Sequence, residues 1–230
     1  MTFPAAPKTR PAGERPPALA ADFVISAAAG HQFPEPELPE IAILGRSNAG
    51  KSSLLNRWLG RKALARVGAT PGRTRLINFF RVTWTKDCKP FLLADLPGYG
   101  YAAAPKAMVA GWRKLAADYL ESRRPLKMAL LLMDIRRDPS EDEYGLLNWL
   151  AALGVPAWVI ATKADKLKQN ERSQRLSHLE KMFAAHSPLE RPPLPFSSTT
   201  GLGRDRLTEA LVDSGLLTSG NPEFDELEFS

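Results

Sequence analysis

The run Gly45 to Ser52 (GRSNAGKS) matches the pattern GxxxxGK[ST] and follows a short apolar stretch, IAIL. This pattern works only between a strand and a helix, and the flanking sequence predicts both. The glycines let the backbone approach phosphates closely, and the N–H groups at the helix start point toward the anion. Lys51 adds positive charge, and the Ser52 hydroxyl is a ligand for Mg²⁺. A strand, a phosphate-binding loop and a helix are therefore expected in this order.

Short apolar runs alternate with helix-length segments along the rest of the chain. This alternation predicts an α/β fold with a mostly parallel six-stranded sheet and helices on both faces. The predicted strands are Ile41 to Leu44, Leu76 to Trp84, Phe91 to Asp95, Met128 to Asp134, Ala157 to Thr162 and Leu194 to Ser197. The predicted helices begin at Lys51 and near Lys106, Ser140, Glu171 and Arg204.

The two ends differ in composition from the middle. Residues 1–39 carry eight of the twenty prolines, and such a segment buries too little apolar surface to offset its ordering entropy. We predict a flexible proline-rich arm over 1–22, one folded domain over 23–218 and an acidic disordered tail over 219–230. No apolar run is long enough for a membrane span or a secretory signal, so we expect a cytoplasmic protein with no membrane partner. A monomer is expected as well.

Basic residues are concentrated in one block of the sequence. Residues 41–86 contain ten Lys or Arg and no carboxylate. A block of that length indicates a polyanionic partner, namely a nucleotide, a nucleic acid or both. The alternative is a solvated face on an ordinary basic protein. The basic residues expected to extend this face are Arg123, Arg124, Lys127, Arg136 and Arg137.

The base must be chosen outside the phosphate loop. The run Thr162, Lys163, Ala164, Asp165 ends a predicted strand and resembles the [NT]KxD signature of GTPases. The Asp165 carboxylate can accept hydrogen bonds from the guanine N1–H and 2-amino groups, neither of which adenine offers. An unpaired buried acceptor costs about 1–3 kcal/mol, which favours guanine. The alternative is an ordinary strand-to-helix turn with an exposed Lys and Asp.

Two further segments complete the predicted site. Asp95, Leu96, Pro97 and Gly98 follow an apolar run and resemble the DxxG motif, in which the Asp holds the water shell of Mg²⁺ and the Gly N–H meets the γ-phosphate. The segment Thr70 to Leu76 (TPGRTRL) is expected to cover the Mg²⁺, with Thr74 as the second hydroxyl ligand and Thr70 as the alternative. Phe196, Ser197 and Ser198 are expected to present N–H groups to the guanine O6.

The order GRSNAGKS, PGRTRL, DLPGYG, TKAD, FSS closely resembles the EngB family of bacterial GTPases, over about residues 23–217. The details INFF after PGRT, DLPGYGYA and DIRR add to the resemblance. It implies a Ras-like phosphate-loop GTPase fold, binding of GTP or GDP with Mg²⁺, and a role in assembly of the large ribosomal subunit, with a link to cell division and septation. The implied partner is a large-subunit precursor or its rRNA. Arg75 departs from the family pattern, which typically has Gln there.

The resemblance and the motifs together give the predicted site residues. Lys51, Asn48, Thr74 and Gly98 are the catalytic candidates, and Ser52 and Thr74 are the metal ligands, with Asp95 acting through water. The nucleotide-binding candidates are Gly45, Arg46, Ser47, Asn48, Ala49, Gly50, Lys51, Ser52, Gly72, Arg73, Thr74, Arg75, Leu76, Asp95, Leu96, Pro97, Gly98, Thr162, Lys163, Ala164, Asp165, Phe196, Ser197 and Ser198.

Hydrolysis of GTP is expected to be slow because of the residue at position 99. After the DxxG glycine, Ras-type proteins place a Gln that orients the attacking water, whereas this chain has Tyr99. Asn48 lies where related GTPases help to bind a monovalent cation, so K⁺ is a candidate substitute for an arginine finger. Two rival interpretations are an ATPase or kinase with the same loop, against which TKAD argues, and a basic rRNA-binding module with a largely structural GTP site.

Overall fold

The computed structural model describes residues 19–60, 76–84, 90–100, 106–187, 189 and 191–214. The strands within these residues are β1 (Leu19–Ala27), β2 (Glu40–Gly45), β3 (Ile77–Trp84), β4 (Phe91–Asp95), β5 (Leu126–Asp134), β6 (Ala157–Thr162) and β7 (Leu194–Pro195). The α-helices are α1 (Lys51–Trp58), α2 (Lys106–Ser122), α3 (Glu141–Ala152), α4 (Gln169–His186) and α5 (Arg204–Asp213). Among these helices, none has the length and apolar character that crossing a bilayer requires.

All seven strands form one sheet in the order β1-β3-β4-β2-β5-β6-β7. The pairs β4/β2, β2/β5, β5/β6 and β6/β7 are parallel, whereas β3 is antiparallel to β1 and to β4. The predicted α/β class is confirmed, but the predicted strand number of six is corrected to seven. The added strand is β1, which pairs with β3 from Leu19 opposite Trp84 to Ala27 opposite Ile77.

The position of β1 bears on the predicted arm. The strand begins at Leu19, so residues 19–22 of the segment predicted as a flexible arm are paired with β3. Residues 1–18 and the whole acidic tail lie outside the described residues. The division into an arm, a domain and a tail otherwise stays a prediction.

Apolar side chains fill both faces of the sheet. On one face, Leu115, Tyr119, Leu147 and Phe183 bring α2, α3 and α4 onto the strands. On the other face α1 and α5 pack through residues such as Trp58 and Leu211. Burial of these side chains supplies most of the driving force for the three-layer arrangement.

The central strand β2 marks the point where the chain changes direction across the sheet. The strands β3 and β4 that follow it lie on one side, and β5, β6 and β7 lie on the other. Open α/β sheets bind ligands at the carboxyl ends of the strands at such a point. The three predicted motifs follow β2, β4 and β6, so the topology places them along this one edge.

Candidate nucleotide-binding site

The phosphate loop, Gly45 to Ser52, connects the carboxyl end of β2 with the first turn of α1. Gly50 has a φ of 97°, a left-handed conformation that glycine adopts at little cost. Asn48 has a φ of 63° and is exposed, and asparagine tolerates this region better than most residues do. The first N–H groups of α1 have no acceptor within the helix, which makes this end suited to an anion.

Two opposite charges are buried beside the loop. The Lys51 Nζ donates to the Gly45 carbonyl at 3.1 Å, and burial lowers the pKa of Lys51 although the charge of Asp95 opposes the shift. Burial also raises the pKa of Asp95 to about 6, and the charge of Lys51 opposes that shift. Burial therefore removes both charged groups from water, and the attraction between the two charges does not fully compensate for this loss. Such a shifted pair is expected where a charged ligand binds.

The residues near α1 fit a Mg²⁺ ion. Within the described residues, the Asp95 Oδ1 is buried and has no hydrogen-bond partner. Buried polar atoms are normally paired, so this oxygen is available to a metal-bound water. Ser52, in the first turn of α1, supplies the hydroxyl that the phosphate-loop motif predicts. The proposed second hydroxyl, that of Thr74, lies outside the described residues together with Gly72, Arg73 and Arg75.

The DxxG segment, residues 95–100, lies directly against the phosphate loop. The Leu96 N–H donates to the Ile43 carbonyl at 3.0 Å, and the Ser47 N–H donates to the Tyr99 carbonyl at 2.9 Å. A Cβ atom added to Gly98 would lie 2.9 Å from the Lys51 Nζ and 3.0 Å from the Ser47 nitrogen. Only glycine fits this approach, and the predicted phosphate-facing residue is thus adjacent to the loop.

Thr162 connects the base-reading strand to the phosphate loop. Its hydroxyl is buried and lies 2.6 Å from the Ala49 carbonyl oxygen and 2.9 Å from that of Met133. One O–H donates fully to one acceptor at a time, so the two carbonyls share it. The Thr of TKAD is thereby a structural member of the site.

Lys163 has a φ of 58°, and its ammonium lies 3.1 Å from the Asp134 Oδ2. Asp134 ends β5 and also accepts from the Arg136 Nε at 2.9 Å and Nη2 at 2.7 Å. Burial alone would raise the pKa of the Asp134 carboxyl, but the hydrogen bonds from Arg136 and Lys163 outweigh it and hold that pKa well below its ordinary value. The carboxylate therefore stays ionised and fixes the direction of both cations.

Asp165, the proposed guanine reader, is oriented by Ser197. The Ser197 hydroxyl is buried and donates to the Asp165 Oδ1 at 2.7 Å, and the Lys166 ammonium lies 3.6 Å from the Oδ2. The Ser197 hydrogen bond holds the pKa of Asp165 below its ordinary value, against the effect of burial, and Lys166 adds to the shift. The carboxylate is therefore ionised and positioned before a base arrives.

The FSS segment differs in detail from the expectation. The Phe196 N–H donates to the Ala161 carbonyl at 2.8 Å, and the Ser197 N–H donates to the Leu202 carbonyl at 3.0 Å. Neither group is available to a guanine O6. Within the described residues the Ser198 N–H has no backbone acceptor. Of the three residues predicted to donate to the guanine O6, Ser198 is therefore the remaining candidate. Ser197 contributes through its hydroxyl instead.

Comparison with known proteins decides which class of nucleotide-binding protein this is. A family model described as 50S ribosome-binding GTPase matches residues 40–163. The probable GTP-binding protein EngB of Pelotomaculum thermopropionicum is 44% identical over 191 residues, which cover 83% of this chain and 93% of that protein. The probable GTP-binding protein EngB of Gemmatimonas aurantiaca is 48% identical over 179 residues, which cover 78% and 84%. The chain belongs to the EngB family of GTP-binding proteins.

A solved structure of another family member agrees with this assignment. The crystal structure of a probable GTP-binding protein EngB superposes with a TM-score of 0.59 at 26% identity and covers 76% of this chain and 97% of that chain. Membership of this GTPase family makes GTP and GDP the ligands of the site and supports hydrolase activity.

Three functional contacts of this EngB chain were not found from the sequence. They are the Asp134 carboxylate on Lys163, the Ser197 hydroxyl on Asp165, and the Tyr99 hydroxyl, which donates to the Glu143 Oε1 at 3.1 Å. The residue pairs are separated by 29 to 44 positions in the sequence. Only Asp134 had a signal, because it opens the DIRR run directly after a predicted strand.

One expectation about the basic surface is corrected. Arg123 and Arg136 were expected to extend the same positive face. In the fold Arg123 precedes β5 and is buried against Glu40, to which its guanidinium donates, whereas Arg136 follows β5. The nine residues of β5 separate them by about 30 Å, so they lie at opposite edges of the sheet.

Proposed function

We propose that this chain is a GTP-dependent switch that acts in assembly of the large ribosomal subunit. The observation that carries the proposal is the arrangement of three charged groups along one sheet edge, in a chain that matches a family described as 50S ribosome-binding GTPases. Lys51 and Asp95 form the phosphate and Mg²⁺ half, and the pre-oriented Asp165 forms the guanine half.

The proposed chemistry uses few residues. The N–H groups of the phosphate loop and the Lys51 ammonium hold the phosphates, and Ser52, Thr74 and Asp95 hold the hydrated Mg²⁺. Bound Mg²⁺ neutralises charge that develops on the phosphate oxygens. Hydrolysis is slow because position 99 is a tyrosine whose hydroxyl is directed toward Glu143 in the protein interior, rather than a side chain that orients water.

Asn48 gives the hydrolysis rate a second control. We propose that its exposed amide, at the rim of the loop, helps to bind K⁺, which then stabilises transition-state charge. Turnover measured in KCl and in NaCl, with and without ribosomal particles, tests this. Higher rates in KCl for the wild type but not for Asn48→Ala are expected, and equal rates throughout would remove K⁺ from the proposal.

The proposed partner is a large-subunit precursor or its rRNA, in the cytoplasm and with consequences for division and septation. The support is the block of ten cations over residues 41–86, of which Arg57 and Arg81 are exposed in the described part of the chain. Contacts between Lys or Arg and phosphates release counterions, so affinity should fall steeply with salt.

The decisive experiment measures binding of large-subunit particles to the chain loaded with GDP or with a non-hydrolysable GTP analogue, across a salt series. The proposal predicts tighter binding in the triphosphate state, together with a steep loss of affinity at high salt. Equal binding in both nucleotide states would favour a basic rRNA-binding module with a structural GTP site. Affinity that does not change with salt would contradict the rRNA contact.

A further inference from the structure

The DxxG segment is held close to the phosphate loop by backbone contacts. Arg46 and Tyr99 form a parallel β-bridge, and the Ser47 N–H donates to the Tyr99 carbonyl at 2.9 Å. The Arg46 guanidinium packs on Gly100, where an added Cβ atom would lie 2.8 Å from its Nε. The segment therefore rests on the loop over several consecutive residues.

This arrangement leaves little space between Gly98 and the phosphate loop. A methyl carbon added there would already lie 2.9 Å from the Lys51 Nζ and 3.0 Å from the Ser47 nitrogen. A phosphate group is larger than a methyl group, so there is no room for one on the side of Gly98 that faces Lys51 and Ser47. A third phosphate that enters on this side requires Gly98 to move away, and such movement strains or breaks the bond between Ser47 and the Tyr99 carbonyl.

The side chain of Tyr99 holds the same segment from the other side. Tyr99 is 7% exposed, and its hydroxyl donates to the Glu143 Oε1 at 3.1 Å. Burial, then the charge and hydrogen bond of Glu143, raise the pKa of Tyr99, so the hydroxyl remains a donor at any physiological pH. The acceptor is equally fixed, because Glu143 is 2% exposed.

Glu143 is itself held by the start of α3. Its Oε2 accepts from the Ser140 N–H at 2.9 Å and from the Ser140 hydroxyl, which makes a capping box. The Arg46 Nη1 reaches the same Ser140 hydroxyl at 3.5 Å. The contacts thus form a closed circuit from the phosphate loop through Ser140, Glu143 and Tyr99 back to the loop.

We propose that Glu143 is a positioning residue that, through the Tyr99 hydroxyl, holds the DxxG segment in the arrangement that excludes the γ-phosphate, and so sets the balance between GDP and GTP. This inference rests on the proposed GTP-dependent switch. We call the arrangement in which the DxxG segment rests on the phosphate loop the closed arrangement. The hydrogen bond from Tyr99 to the buried Glu143 stabilises this arrangement, so part of the free energy of GTP binding is used to disrupt it.

The test is Tyr99→Phe, which keeps the buried ring and removes only the hydroxyl. Affinities for GDP and for a non-hydrolysable GTP analogue are measured for the variant and the wild type. Loss of a hydrogen bond to a charged group present only in the closed arrangement should shift the ratio of the two dissociation constants about tenfold toward the triphosphate. Glu143→Gln should shift it in the same direction but less, because the amide oxygen still accepts a weaker bond.

A matched control lies at the opposite edge of the sheet. The Tyr119 hydroxyl donates to the Glu40 Oε2 at 2.8 Å, which is also a bond between a buried tyrosine and a buried carboxylate. Tyr119→Phe should lower the free energy of unfolding without changing the nucleotide ratio. The double variant Tyr99→Phe/Glu143→Gln should give the same nucleotide ratio as Tyr99→Phe alone, because without the Tyr99 hydroxyl residue 143 has no bond to the DxxG segment left to weaken.

The outcomes separate the inference from the function on which it rests. If Tyr99→Phe and Glu143→Gln both lose stability as Tyr119→Phe does and keep the wild-type ratio, the positioning role is wrong while nucleotide binding stands. If the wild type binds neither nucleotide, the proposed function fails first. Should Tyr99→Phe not fold, the ratio measured for Glu143→Gln decides the question alone.

Discussion

Thr162→Val removes one hydroxyl from the junction between the phosphate loop and the base-reading strand and changes the side-chain shape little. In the wild type that hydroxyl lies 2.6 Å from the Ala49 carbonyl oxygen and 2.9 Å from that of Met133. Both Thr162 and Ala49 are buried, at 3% and 5% exposure, so water cannot replace the lost donor easily.

The size of the effect of Thr162→Val follows from the Ala49 carbonyl, which the variant leaves without a hydrogen-bond donor. A buried acceptor without a partner costs about 1–3 kcal/mol. Where the loop keeps its position, the cost lowers the free energy of unfolding of the nucleotide-free protein. Where the loop shifts so that water reaches the carbonyl, GDP binding must restore the loop, and the same cost appears as lost affinity. The two losses together should come to about 1–3 kcal/mol, of which up to about 1.4 kcal/mol, a tenfold loss of GDP affinity, is expected in binding. GTP affinity should fall by the same factor, because the loop holds the phosphates that both nucleotides share.

Titration with a fluorescent GDP derivative and urea unfolding of the nucleotide-free protein measure the two effects. Thr162→Ser is the matched variant, because it keeps the hydroxyl and loses the methyl group. We expect Thr162→Ser to bind GDP nearly as the wild type does. If Thr162→Ser and Thr162→Val lose affinity equally, the hydroxyl is not what connects the strand to the loop, and the reasoning is refuted.

Two further predictions concern buried carboxylates. Arg123→Met leaves the fully buried Glu40 without its cation and should lower the free energy of unfolding by about 3–5 kcal/mol, measured by urea unfolding, whereas Lys114→Ala, in an exposed pair, should cost less than about 1 kcal/mol. The lowered pKa of Asp134 contributes stability that is present above the ordinary aspartate pKa and is lost as the pH falls below it. The stability difference between the wild type and Asp134→Asn should therefore stay constant from pH 7 to about pH 5 and shrink as the pH falls below about 4. A difference that does not change below about pH 4 would contradict this.

The sequence predicts most of the sheet because each strand carries its own signal. The five parallel strands are buried apolar runs between turn residues, and the motifs mark where three of them end. Predicted helix starts at Lys51, Lys106 and Arg204 agree with the structure, and those of α3 and α4 agree within two residues. The pattern of apolar residues is sufficient to predict an element when burial of that element's own side chains determines its structure.

The missed features depend on partners that are distant in sequence. β1 follows a proline-rich segment, and its outer positions Phe23, Val24 and Ile25 are exposed, so only pairing with β3 identifies it as a strand. The N–H groups of Phe196 and Ser197 are similarly committed by contacts that sequence spacing does not show.

Charged residues were misjudged for the same reason. Arg123 lies in a stretch rich in basic residues, which is typical of a solvated face. Its partner Glu40, and Tyr119 beside Glu40, lie far from it in the sequence or on another element, and only the packing of β2 and α2 brings these groups together. A charge is assigned to a surface correctly only when its partners are known.

The central claim is that Asp165 reads guanine in a site built for GTP. The direct test compares GDP and xanthosine diphosphate binding to the wild type and to Asp165→Asn. An asparagine oxygen can still accept from the Ser197 hydroxyl, so the variant should keep the local geometry. Two hydrogen bonds from guanine to a charged acceptor are lost or reversed, so GDP should bind at least about a hundredfold more weakly while xanthosine diphosphate binds more tightly than it does to the wild type. A variant that folds and keeps its preference for GDP would contradict the account.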